Sequence, residues 1–176
     1  TKGACTWELK NVKVLDKEAE IVTPENPDTP VTPPADGEGE GSRENPFNVT
    51  SAVAQNNSGA KVWVKAFIVG QINGKSMSDA EFDAPFNIPD RSTQGTNVLI
   101  ADAAATTSTD ACMPVQLPSG AVRNGINLPD NPTMDGKEVL LYGELVEYFK
   151  AKGLKNVTCA IVDGVVYGKE PVVVDD

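Results

Sequence analysis

The stretch Tyr148-Phe149-Lys150-Ala151-Lys152-Gly153-Leu154-Lys155 places two aromatic rings beside three ammonium groups in a chain with 15 Lys and Arg against 25 Asp and Glu, a net charge of −10. Flat rings next to positive charge suit single-stranded nucleic acid: stacking contributes about 1–3 kcal/mol per base, and the cations hold phosphates. With amide and hydroxyl neighbours, the same rings suit an oligosaccharide equally well. Lys75 and Arg91, and with them Arg123, are the further cations that would have to converge on the same groove. The plainer reading is that Tyr148 and Phe149 pack beneath a loop that the lysines solvate. The acid excess also opposes strong non-specific attraction to a phosphate backbone.

Other chemistries are poorly supplied. Histidine is absent, which removes the usual general base, the usual activator of a nucleophile and the commonest metal ligand. The chain holds neither a Gly-x-Ser-x-Gly elbow nor a Gly-x-x-x-x-Gly-Lys-Ser/Thr phosphate loop. Carboxylate-only hydrolysis would have to draw on a pair such as Glu144 and Glu147, but on a strand an i, i+3 pair points to opposite faces. The three cysteines, Cys5, Cys112 and Cys159, show no Cys-x-x-Cys spacing, so no metal centre or redox pair is expected. Cys112 and Cys159 lie in apolar surroundings that suit buried free thiols, with a disulfide between them as the sharper alternative. No cofactor is expected.

The elements that would position these residues begin after a linker. Residues 23–42 hold five prolines, three glycines and five acids with no Lys or Arg, too little apolar surface to offset backbone ordering. Residues 1–22 contain Trp7, Leu9, Val12 and Val14, one or two short strands that need a docking surface or belong to a neighbouring domain. Residues 43–176 form the domain proper, with 11 basic and 16 acidic side chains.

Within that domain, Val49, Ala52 and Val53 predict a short helix capped by Asn48 or Thr50. A long first strand covers 62–69 and bends at Gly70; Asn73-Gly74 reads as a hairpin turn leading into a long loop that ends at Gly95. Strands follow at 96–101 and 112–117. A short helix capped by Ser119 buries Val122, Ile126 and Leu128, and further strands cover 139–146, with a central Gly143, and 157–162. Residues 148–155 then form the loop between the last two strands. Five strands, a helix between the third and fourth, and glycine bends in the first and fourth predict a mainly β, five-stranded Greek-key barrel of the OB-fold type. A seven-stranded immunoglobulin-like sandwich has no natural place for a helix at 119–127.

Glu44-Asn45-Pro46-Phe47, Trp63-Val64-Lys65, Ile68-Val69-Gly70, residues 97–102 (NVLIAD), residues 114–118 (PVQLP), Gly136-Lys137-Glu138-Val139 and Tyr148-Phe149 with Gly153-Leu154-Lys155 together resemble an uncharacterised OB-fold-like domain family, over residues 43–163. Its members are mostly exported lipoproteins and surface proteins of gut Bacteroidetes. The resemblance implies export to the cell surface or periplasm, often with a lipid anchor, and a barrel that binds nucleic acid or carbohydrate; it brings no catalytic residues. Gly3-Ala4-Cys5 is similar to the end of a bacterial lipid-attachment box, but Lys2 stands where that box has Leu and no apolar segment precedes it, so Cys5 is not marked as an anchor.

The expected function is that of a non-catalytic binding module for an oligonucleotide or oligosaccharide. Its ligand would lie across the second and third strands, between the 73–95 loop and the 148–155 loop. The candidate ligand-binding residues are Tyr148, Phe149, Lys150, Lys152, Lys155, Lys75 and Arg91. The second expectation is a spacer domain that docks other proteins, and the third, more remote, is a carboxylate-dependent hydrolase.

Overall fold

A computed structural model describes residues 39–86 and 95–172. Arg91, the segment 1–22 and all but the last four residues of the expected linker lie outside the described residues. Seven strands are described: β1 (Lys61–Ile72), β2 (Ala80–Glu81), β3 (Asn97–Ala101), β4 (Cys112–Gln116), β5 (Glu138–Tyr148), β6 (Ala151–Val162) and β7 (Val165–Gly168). Two short helices accompany them, α1 (Val49–Ala54) and α2 (Ala121–Ile126).

Five of the strands close on themselves. The order runs β1-β3-β4-β6-β5, and β5 returns to pair with β1. All neighbours are antiparallel except β4 and β6, which meet in parallel at Val115 and Leu154. With α2 between β4 and β5, this is the OB-fold-like barrel that the element order predicts.

Closure demands strongly coiled strands, and the two expected glycine bends supply them. The β1–β3 register shifts between Ile68 and Gly70, and the β5–β6 register between Tyr142 and Glu144. A side chain at Gly70 would collide with the Glu81 carbonyl, and one at Gly143 would press on Leu154 and the Lys155 carbonyl. Inside the barrel, alternate residues such as Val64, Ile68, Val98, Ile100, Met113, Val115, Leu141, Leu145 and Leu154 are fully buried in one core.

Side chains secure the joints. Asn48 caps α1 by accepting from the Ser51 N–H at 2.7 Å. Asp102, at the end of β3, accepts from the N–H groups of Val49 (2.6 Å) and Thr50 (3.1 Å) and from the Thr50 hydroxyl. Buried Asn97 pairs with the Ile72 backbone, accepting its N–H at 2.7 Å and donating to its carbonyl at 3.0 Å, so a side chain continues the β1–β3 ladder. Gly39–Ser42 also lie against the barrel, the Trp63 N–H donating to the Gly41 carbonyl at 2.7 Å.

Several local expectations are corrected. The first strand runs on past Gly70 to Ile72, and β2 pairs with its end, so the return is made through residues 73–79 and not through a two-residue turn at Asn73-Gly74. The Asp79 carboxylate organises that loop by accepting from the Lys75 and Ser76 N–H groups, which hold its pKa below the usual range. Gly120, not Ser119, precedes α2, without a side-chain cap. The fifth barrel strand begins at Ala151, six residues before the expected start, and β7 follows it through the turn Asp163-Gly164.

Candidate functional site

The earlier start of β6 reshapes the candidate site. Tyr148 pairs with Ala151, leaving Phe149 and Lys150 as a two-residue turn in place of an eight-residue loop. Both turn residues have positive φ, 52° and 60°, as a type I′ turn requires. Neither is Gly or Asn, so each costs about 1 kcal/mol or more in backbone strain. Packing offsets that cost, because Phe149 lies against an outer-face cluster of Val69, Ile72, Leu99, Ala101 and Cys112, beside Met77, Ala80 and Phe82.

That cluster alters the expected ligand path. The sequence places the ligand across β3 and β4, yet at Leu99, Ala101 and Cys112 their outer face is covered by side chains of the 77–82 segment and by Phe149. Cys112 is a free thiol that donates to the Ser108 carbonyl, and burial pushes its pKa up to about 11.

Alternation along β5 and β6 sorts the remaining candidates. Leu154 points into the barrel, so Gly153 and Lys155 point outward while Lys152, across from Glu147, takes the inward parity at the barrel mouth. There Lys152 lines a hollow of about 270 Å³ with Val53, Met77, Asp110 and Cys112. Lys150 is exposed at the turn, and Lys75 is exposed on the loop that Asp79 holds. The cations are therefore divided, and Lys155 is the one that meets an aromatic ring.

Tyr148 lies over Gly153, where an added Cβ would come within 2.7 Å of the Tyr148 Cβ and 3.0 Å of the Pro114 carbonyl oxygen. Its ring centroid is 4.3 Å from that of Phe149, with a 46° tilt, and the Lys155 Nζ stands over it at 5.6 Å. Burial raises the Tyr148 pKa, while the Thr96 hydroxyl and the Arg123 guanidinium act to lower it. Arg123 is held near by donating to the Leu117 carbonyl at 2.8 Å. Gln116, which accepts from the Asn156 N–H, completes a half-open strip with Thr96, Tyr148 and Lys155. Sequence reading missed Thr96 and Gln116 as members of this strip, since nothing local marks a residue that faces a tyrosine from another strand.

A hollow of about 590 Å³ is lined by Glu81, Asp83, Phe82, Pro85 and Thr107, with two carboxylates and no cation among its lining residues. Among the described residues no group of His, Cys, Asp and Glu could hold a metal ion. No described helix is long and apolar enough to cross a membrane.

Comparison with known proteins adds one relative and one family. The chain is 33% identical over 114 residues to Endonuclease YhcR of Bacillus subtilis (strain 168). That stretch is 65% of this chain but 8% of the relative's length. No solved structure matches significantly. Neither finding carries the expected grouping with lipoproteins of gut Bacteroidetes. The family model matches residues 47–163, from the Phe47 bridge onto β1 to the turn that leaves β6. The barrel just described is thus the unit the chain shares with the domain of unknown function DUF6359, and to that family it belongs.

Proposed function

We propose that the barrel is a non-catalytic module that binds single-stranded nucleic acid along the strip formed by Tyr148, Lys155, Gln116 and Thr96. The observation that carries this reading is a half-open Tyr148 ring with the Lys155 ammonium over it, its Cβ packed against Gly153. Stacking on such a ring tolerates any base, while Lys155, Arg123 and Lys150 offer charge to phosphates. A relative named as an endonuclease favours nucleic acid over an oligosaccharide. The match covers 8% of that relative, which suits a part that holds a strand for chemistry done elsewhere. Export to the cell surface or periplasm, in some members with a lipid anchor, belongs to the same proposal and rests on the family resemblance; fractionation of cells producing the full-length protein tests it.

Binding is tested by fluorescence anisotropy with labelled dT12 across a salt series. Affinity falls as salt rises, with a log–log slope of about −2 if three phosphates are contacted. Tight binding to a neutral hexasaccharide, with no response to salt, overturns the nucleic-acid reading in favour of a sugar. Binding to neither ligand, with capture of a protein partner instead, favours the spacer function.

A further inference from the structure

We infer that Lys155 gates the Tyr148 ring, so that the site accepts a flat ring only when that ring brings an anion with it: a nucleotide, not a neutral nucleoside or sugar. This inference rests on the nucleic-acid reading above and adds a rule of selection to it.

Three sides of Tyr148 are already taken. Its Cβ packs against Gly153, the Phe149 ring stands 4.3 Å from its own, and the Lys155 ammonium lies over the ring, 5.6 Å from its centroid. An incoming base has to displace that ammonium. Glu144, the cross-strand neighbour of Lys155, accepts from the Asn156 side-chain amide at 3.0 Å and forms no ion pair with Lys155. Among the described residues, Lys155 makes no ion pair.

The ammonium therefore rests on the ring by cation–π attraction, which is weaker than a charge-assisted bond to phosphate. A phosphate pulls Lys155 aside and is held by it, and the uncovered ring receives the base. A neutral ring has nothing to offer the ammonium and must displace it without compensation. One side chain thus excludes one ligand and retains the other.

The test compares wild type with Lys155→Ala and Lys155→Gln, using thymidine in an NMR titration and dT12 in anisotropy. Far-ultraviolet circular dichroism checks the fold of each variant. Loss of the ammonium should tighten thymidine binding by about 2–5-fold and weaken dT12 by about tenfold. Opposite signs for the two ligands support the gate. Weakening of both, or no change in thymidine, reduces Lys155 to an ordinary phosphate contact and overturns the gate while leaving the nucleic-acid reading intact. A wild-type protein that binds an acidic polysaccharide such as polygalacturonate and ignores dT12 overturns both.

Discussion

The barrel carries two aromatic pairs on its outer surface, built from the same parts to different ends. Trp63 and Tyr142 have centroids 5.2 Å apart and a 46° tilt, with the Arg43 guanidinium 5.8 Å above the Trp63 ring. Tyr148 and Phe149 repeat the tilt at 4.3 Å, with Lys155 at 5.6 Å. The difference lies in what holds the cation. Arg43 is fixed by two contacts to Glu170, Nε to Oε2 at 2.9 Å and Nη2 to Oε1 at 3.3 Å, and Trp63 is only 4% exposed. Lys155 is tied to no carboxylate among the described residues, and the ring beneath it is half-open. A cation anchored by its own carboxylate seals a ring, whereas one resting on the ring alone can be drawn away. A free cysteine marks each pair: Cys159 is the strand partner of Tyr142, and Cys112 lies in the cluster that Phe149 covers.

The strongest test of this contrast is truncation. Trp63→Ala should cost about 3–5 kcal/mol in urea unfolding, and Tyr148→Ala about 1–2 kcal/mol; equal costs would erase the distinction. Next comes ligand binding, where Tyr148→Ala should weaken dT12 by roughly tenfold or more and Arg43→Ala should leave it unchanged. Thiol labelling follows, in a Cys5→Ser background. With its pKa at about 11, Cys112 is roughly one part in a thousand thiolate at pH 8, so its labelling should quicken about tenfold per pH unit up to that pKa. Because the folded state favours the protonated thiol, the stability contributed by Cys112 is present below its unfolded pKa of 9.0 and declines as pH rises toward 11. Phe149→Ala should speed labelling of Cys112, which lies in the cluster that Phe149 covers, and leave Cys159 slow, because Cys159 is fully buried beside Tyr142 on the neighbouring strand. The smallest effect belongs to Arg43→Ala. Its ion pair is half exposed, and its loss should cost no more than about 1 kcal/mol.

Much of the scaffold was legible because it is written locally. The β-branched run from Val62 to Val69, the two bending glycines and the Asn48 cap each carry their own signal, and together they name the barrel. The turn at Phe149 and Lys150 carries the opposite signal, since bulky residues at positive φ do not announce a hairpin. Only the apolar cluster from β1, β3 and β4 makes that turn stable, and no local window contains those residues. Asp163-Gly164 is the reverse case, an ordinary hairpin signal that leads into a strand outside the five that close the barrel. The role of Asp102 depends on a partner 53 residues away and has no local mark. Lys152 and Lys155 looked equivalent until strand alternation put them on opposite faces.

The contact between Arg43 and Glu170 also ties the place where the chain enters the barrel to the place where it leaves. A folded unit with its two ends side by side can be spliced into a loop of a larger host without prying that host apart.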